Sequence, residues 1–148
     1  MKNIITKLLV LATLTIFLMS CSKDEAPAPA TSLIVGKWTQ IKTVVTVPGS
    51  PTATEPYTGN EPGCNKDFLE FVSGGVVNST DFEKVNNLCV PTTDVAMWAQ
   101  TGNNLKITVG AEITNFNIEA LTATDLVLKG TESNGSITAT FVLYFSRI

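Results

Sequence analysis

Apolar and polar residues alternate in short segments from residue 33 onward, and glycine, asparagine and proline recur between these segments. The clearest alternation lies in 135–146. One parity there holds Ile137, Ala139, Phe141, Leu143 and Phe145, whereas the other holds Ser136, Thr138 and Thr140. A period of two places one face of a strand in a core and the other face toward water. Because helical periodicity is not sustained anywhere in this region, the pattern predicts an all-β domain.

The same pattern divides the domain into eight predicted strands. Their approximate bounds are 36–47, 67–73, 76–85, 94–100, 104–109, 111–121, 125–130 and 135–146. Short turn signals separate them, the strongest being Asn134-Gly135, which favours a type I′ hairpin turn because both central residues need a positive φ. Gly74-Gly75, Gly102-Asn103 and Gly110 are further tight reversals. Consecutive hairpins predict a small eight-stranded antiparallel up-and-down barrel, whose closure removes exposed sheet edges.

The sixth predicted strand contains a change of parity. Ile113 falls on one face of the strand, whereas Phe116 and Ile118 fall on the other. An extra residue in the strand would bring the two sets onto the same face, so we expect a β-bulge near Asn115.

The N-terminal region has a composition unlike that of the domain. Residues 8–19 carry no charge, but a membrane-spanning helix needs about 20 apolar residues, so the length is typical of a signal-peptide core. Residues 18–21, Leu-Met-Ser-Cys, resemble a lipobox, which implies cleavage before Cys21 and a thioether-linked lipid on that cysteine. The alternative is a secretory peptide with a cysteine near its cleavage site. We therefore predict that 1–20 is a lipoprotein signal peptide, which is removed.

Residues 21–32 form a predicted lipidated N-terminus and flexible tether before a barrel domain at 33–148. Alternating proline in 26–30 keeps this segment extended and leaves nothing apolar to bury. Residues 22–25, Ser-Lys-Asp-Glu, resemble the signal that directs lipoproteins of Bacteroidetes-type bacteria to the cell surface; the alternative is a solvated charge cluster. The expected location is the outer membrane, exposed at the cell surface, with the periplasmic face as the alternative.

Charge and composition exclude several classes of function. Without the two lysines of 1–20, the chain has 8 basic and 13 acidic residues, which offers no basic surface for nucleic acid. The sequence contains no histidine, so His-based catalysis and the commonest zinc sites are absent. Acidic residues on neighbouring strands (Asp67, Glu70, Asp81 and Glu83) are interpreted as an outward, solvated surface. We therefore predict no enzyme activity, no cofactor and no metal.

Two cysteines remain once Cys21 carries lipid. In an exported domain, where oxidation is permitted, Cys64 and Cys89 predict one disulfide. The strand order supports this pairing, because the loop between strands one and two and the loop between strands three and four emerge at the same end. A reactive thiol is the alternative, although no histidine or basic cluster is present to lower its pKa.

Residues 33–38, Leu-Ile-Val-Gly-Lys-Trp, resemble the G-x-W opening of lipocalins and of lipocalin-like domains in bacterial lipoproteins. The later order of residues is similar to those bacterial domains as well: Cys64, Phe68 to Phe71, Gly75, Cys89, Trp98, Gly102 and Leu105. The resemblance covers about 33–148 and implies a lipocalin-like barrel. Because lipocalins place a late arginine over this tryptophan, it also implies that Arg147 stacks on Trp38 at the closed end of the barrel.

Two functions remain open at this stage. The first is a binding module for an unidentified small, apolar ligand. The second is a packed barrel that serves as a structural or interaction protein and whose loops contact a protein or glycan partner. Segment 48–63 shows no strand pattern and is interpreted either as disordered or as a functional rim, with Tyr57, Asn60 and Glu61 as candidate contacts. An eight-stranded barrel can be filled by side chains or hold one ligand, so a cavity would favour the first function.

Overall fold

The computed structural model describes residues 32–148; the predicted signal peptide and all of the predicted tether before Ser32 lie outside the described residues. The described chain folds into nine strands: β1 (Gly36–Thr46), β2 (Ala53–Pro56), β3 (Phe68–Val72), β4 (Val76–Val85), β5 (Leu88–Thr101), β6 (Asn104–Val109), β7 (Glu112–Leu121), β8 (Asp125–Asn134) and β9 (Ile137–Arg147). Within 32–148, no helix has the length and apolar character that crossing a membrane requires.

The strands form one closed antiparallel sheet. From β3 to β9 each strand pairs with the next along the chain, and β1 pairs with both β3 and β9. The ring therefore contains eight strands, and β2 is an addition that pairs only with the second half of β1, opposite 42–45. The predicted all-β fold, an eight-stranded antiparallel up-and-down barrel, is confirmed.

Two predicted connections are wrong. Segment 48–63, which showed no strand pattern, contains β2. The fourth predicted strand begins at Leu88 rather than at 94, because β4 and β5 form a long hairpin that pairs up to Val85 and Leu88. Asn86 and Asn87 make its two-residue turn with φ values of 53° and 65°. Asparagine tolerates this left-handed region better than most residues, so the pair can close a tight hairpin.

Two finer details also differ from prediction. Asn134 pairs with Ile137, so the turn residues are Gly135 and Ser136, and of these only Gly135 has a positive φ, which is 64°. This pattern is that of a type II′ turn rather than the expected type I′ turn at Asn134-Gly135. The bulge expected near Asn115 lies later, between Ile118 and Ala120, where the register of β7 against β8 shifts.

The hydrophobic core occupies one end of the barrel, which we call the closed end. Its largest fully buried apolar side chains are Trp38, Phe71, Ile34, Leu105, Leu126 and Leu128. Trp98 packs against this core with its ring edge-on to Phe71 at a centroid distance of 5.6 Å. The opposite, open end carries the loop before β3 and the turns at 86–87, 110–111 and 135–136.

The closed end is fastened by an arginine over a tryptophan. Trp38 and Arg147 are register partners of β1 and β9, and the Arg147 Cζ lies 4.3 Å from the centre of the indole. Arg147 also donates hydrogen bonds to the carbonyls of Leu33 and Val35, and the Trp38 indole nitrogen donates to the Ile34 carbonyl at 2.7 Å. The stacking that the sequence resemblance implied is therefore present, and it ties 33–35 beneath the barrel.

Gly36 makes this arrangement possible. Its φ is +132°, a conformation that side chains disfavour, and a Cβ at this position would collide with the Arg147 guanidinium. The glycine of the G-x-W opening thus leaves room for the arginine that covers the tryptophan.

Candidate functional site

An inner cavity of about 500 Å³ lies above the core. Its lining comes from four consecutive strands of the barrel: Leu69, Val77, Ser79, Asp94, Val95, Ala96, Ile107 and Val109. The register of these strands explains which side chains face the cavity. Phe71 and Val77 are buried opposite each other, so the alternate positions Leu69 and Ser79, and the β5 partners of Val77 and Ser79, face inward with them. The cavity is therefore walled mainly by the inner faces of β3, β4, β5 and β6.

A side cavity of about 90 Å³ adjoins it and shares Leu69 and Ser79 with its lining. The remaining residues around the side cavity are Trp38, Gln40, Tyr57, Asp67, Phe68, Asp81 and Phe145. Trp38 brings it to the edge of the core, whereas Tyr57 and Asp67 belong to the loop side of the open end. The two cavities together extend from the core toward that loop.

Asp67 organises the loop beside the cavities and is only 6% exposed. Strand β3 starts one residue later and pairs with β4 only as far as Thr80, which leaves the Phe82 amide without a β3 carbonyl. The Asp67 carboxylate replaces that partner, accepting hydrogen bonds from the Phe82 amide and the Tyr57 hydroxyl, each at 2.9 Å. A buried carboxylate needs such donors, so Asp67 joins β2, β3 and β4 where the ladder is interrupted.

The three candidate rim residues lie close together along this loop but are used differently. The Tyr57 hydroxyl points inward to Asp67, and the Asn60 side-chain oxygen accepts the Asp67 backbone amide at 2.9 Å. Glu61 contributes its carbonyl, which accepts the Cys64 amide at 3.0 Å. All three support the loop structurally, and their contact with a ligand or partner stays a prediction. Sequence reasoning placed Asp67 on the solvated surface and missed that it connects two of them.

The disulfide between Cys64 and Cys89 holds the same loop from the outside, with a Cα–Cα distance of 5.5 Å. The predicted pairing is confirmed, but Cys89 lies on β5 opposite Lys84 rather than in a loop. The Lys84 ammonium group donates to the Pro62 carbonyl at 2.6 Å. The disulfide and this hydrogen bond therefore both attach the loop to the β4–β5 hairpin.

Breaking this disulfide should lower stability without abolishing the fold. We expect the Cys64→Ser/Cys89→Ser double variant to lose about 3.5 kcal/mol of unfolding free energy, because the unfolded chain regains the entropy of a loop of this length. Urea denaturation followed by circular dichroism measures the loss. A double variant as stable as the wild type would show that the bond does not restrict the unfolded chain.

The prediction that the strand carboxylates face outward is wrong for two of the four. Asp81 follows Val77 and Ser79 on the inner face of β4, and Asp67 reaches the side cavity. Glu70, adjacent to buried Phe71, takes the outer face, and Glu83 is exposed beyond the part of β4 that pairs with β3. Burial raises the pKa of the Asp81 carboxyl, and the negative charges of Asp67, Asp94 and Glu83 raise it further. The inner wall of the open end therefore concentrates negative charge.

Tyr57 titrates in the same electrostatic environment. Burial, the hydrogen bond to Asp67 and the charges of Asp67 and Asp81 raise the pKa of Tyr57 to about 12. The folded protein thus holds this proton more tightly than the unfolded chain, where the pKa is about 10. The resulting stabilisation is fully present below pH 10 and is lost as the pH rises through 12.

The Tyr57→Phe variant should lack this dependence of stability on pH. We expect the free energy of unfolding of the wild type to fall between pH 10 and 12 more steeply than that of the variant, because phenylalanine has no proton to lose. Denaturation curves across this range compare the two proteins, with Tyr144→Phe as the control. Parallel pH dependences for wild type and Tyr57→Phe would contradict the assignment.

The side chains around the two cavities determine what the site can offer to a molecule. Within 32–148, no group of three or more Cys, Asp or Glu residues is placed to hold a metal ion, and both cysteines of this range are in the disulfide. The cavities offer apolar side chains, a serine hydroxyl and carboxylates, which recognise a molecule by shape and charge.

The fold and its cavity define a small up-and-down β-barrel with internal space. A sequence profile of the lipocalin-like domain family matches residues 34–128, and the chain belongs to that family. Comparison with curated proteins gives no significant match.

Solved structures with a similar fold come from distant animal proteins. Bovine odorant-binding protein in complex with undecanal is 18% identical, with 84% of this chain and 77% of the other aligned and a TM-score of 0.44. Lobster apocrustacyanin A1 is 14% identical, with 81% and 63% aligned and a TM-score of 0.48. A bovine lipocalin allergen is 16% identical, with 78% and 73% aligned and a TM-score of 0.43.

Proposed function

We propose that this protein binds a small molecule in the inner cavity. The observation that carries the proposal is the volume of about 500 Å³ between the inner faces of β3 to β6, which falls within the range of small-molecule pockets. A barrel packed solid by its own side chains would leave no such space, so the alternative of a purely structural or interaction protein is less well supported. Membership of the lipocalin-like family supports the same function.

We also propose that the binding domain is a lipoprotein of the outer membrane, exposed at the cell surface. The support is the sequence of the N-terminal region: a short apolar segment, a lipobox-like motif ending at Cys21, and a proline-rich tether. Lipid on Cys21 would supply the membrane affinity, because an acidic chain gains little from anionic headgroups. The periplasmic face of the same membrane is the alternative.

Filling the inner cavity tests the binding proposal. Ala96 lines the cavity, whereas Ala99 lies three residues later on the same strand and is exposed. We expect Ala96→Trp to occupy the space and weaken binding of N-phenyl-1-naphthylamine, a neutral fluorescent probe, by about tenfold or more. Ala99→Trp should leave the affinity unchanged. Equal affinity in the two variants, or failure of the wild type to bind, would overturn the proposed site.

A further inference from the structure

The inner cavity has an apolar side and a charged side. Val77, Ala96 and Ile107 line it with hydrocarbon and pack against or within the core. Asp94 lines it on β5, paired directly with Ser79 on β4. A molecule in this space would therefore meet mostly apolar surface, with the Asp94 carboxylate where β4 and β5 pair.

A second carboxylate lies next to the first. Asp81 is two residues after Ser79 on the same inner face of β4, which makes it a diagonal neighbour of Asp94, and such neighbours lie about 7–8 Å apart. Asp81 lines the side cavity, and Ser79 borders both cavities. The two carboxylates thus flank the junction of the cavities.

Neither of these two carboxylates is neutralised by a protein partner within 32–148. Asp67 accepts two hydrogen bonds, whereas the structure of 32–148 contains no side-chain hydrogen bond or ion pair to Asp81 or Asp94. No basic side chain lines either cavity. Lys37 and Lys42 lie over the aromatic rings of Phe68 and Tyr144 instead.

The carboxylates are also too dispersed for a metal ion. Calcium takes six to eight oxygen ligands at about 2.3–2.6 Å, and no acidic group of three or more in 32–148 is placed to hold a metal. Negative charge spread around a largely apolar space suits a larger cation with a hydrocarbon body.

We infer that the inner cavity takes a small organic cation with an apolar portion, its ammonium group lying between Asp81 and Asp94 and its hydrocarbon against Val77, Ala96 and Ile107. Ser79 accepts a further hydrogen bond from the ammonium group. This inference rests on the proposed binding function and names its ligand class. A carboxylate ligand such as a fatty acid is disfavoured, because its charge would face two like charges with no basic residue between them.

Three molecules with the same eight-carbon chain test the charge preference. Octylamine, octanol and octanoate differ in head group, being cationic, neutral and anionic at pH 7. We expect isothermal titration of the purified protein to give an affinity for octylamine about tenfold or more above that for octanoate, with octanol between them. Raising the salt concentration should weaken octylamine binding and leave octanol unaffected.

Isosteric variants locate the charge. Asp81→Asn and Asp94→Asn should each reduce octylamine affinity about fivefold to tenfold while preserving octanol binding. Glu70→Gln removes a carboxylate from the outer face of β3 and should change neither affinity. Circular dichroism verifies that every variant is folded.

The outcomes separate the inference from the function beneath it. Equal binding of the three molecules, tightest binding of octanoate, or unchanged octylamine affinity in both Asn variants would overturn the organic-cation inference and leave the binding function standing. If the wild type binds none of the three molecules and also fails to bind the neutral fluorescent probe, the proposed function fails with it.

Discussion

We expect the Cys21→Ser variant to carry no lipid, so that the membrane fraction contains no lipidated form of it. Serine cannot form the thioether that holds a diacylglyceryl group, and the sequence offers no neighbouring cysteine as a substitute acceptor. Two or more acyl chains are needed for stable anchoring, so the variant should remain as an uncleaved or mislocalised precursor without lipid. Cell fractionation and intact-mass analysis in a bacterial host measure the change.

The matched control is Ser22→Ala, which alters the next residue and leaves the thiol and the preceding lipobox-like residues in place. It should retain both the lipid mass and the membrane location. A wild-type protein whose intact mass carries no acyl chains would refute the lipoprotein proposal, whatever the location of the variants.

The Trp38→Ala variant is expected to suffer the largest loss of stability among substitutions in the barrel. Trp38 is fully buried, contacts the Arg147 guanidinium and donates to the Ile34 carbonyl. Truncation leaves a cavity, removes the ring on which the Arg147 guanidinium stacks and leaves the Ile34 carbonyl without its hydrogen-bond donor. Buried tryptophan-to-alanine changes cost about 3–5 kcal/mol, a large part of the stability of a typical domain.

Chemical denaturation quantifies the loss, and Trp38→Phe serves as the comparison. Phenylalanine restores much of the volume and an aromatic face for Arg147 but not the indole hydrogen bond, so its loss should be clearly smaller. If the free energy of unfolding of Trp38→Ala lies within about 1 kcal/mol of the wild-type value, the closed end does not depend on this contact.

The barrel was predictable because its strands alternate. In β9, Leu143 and Phe145 turn inward as their parity predicted. Strand β2 was not predictable in this way, since all four of its residues are exposed and their sequence carries no alternation. It forms because its backbone pairs with β1, and backbone hydrogen bonding leaves no pattern of side chains in the sequence.

The start of β5 was missed for a different reason. Pro91 lies within it, and a proline in a run of residues argues against a central strand. The structure resolves the conflict, because 88–95 pairs with β4 but extends beyond the part of β5 that pairs with β6. This stretch is an edge, where a missing amide hydrogen bond costs little.

The charge of the cavity wall could have been read from parity alone. Val77 and Asp81 share a parity, and once Val77 is assigned to the core the carboxylate follows it inward. Assigning charged residues to the solvent by type hid this signal. In contrast, the support that Asp67 gives to Phe82 depends on where β3 begins, which the sequence does not mark.

The attachment of 33–35 beneath the barrel has a mechanical consequence. The Val35 amide bonds to the Ser32 carbonyl at 3.0 Å, and Arg147 holds the next turn of chain. In the anchored protein proposed above, drag on the domain would be transmitted through Ser32 and would load these contacts before it reached β1. Because β1 is bonded to β9 over most of its length, tension along it shears many hydrogen bonds at once rather than peeling them singly. We expect the hydrogen bonds from Arg147 to the Leu33 and Val35 carbonyls to resist the force first when the tethered domain is pulled.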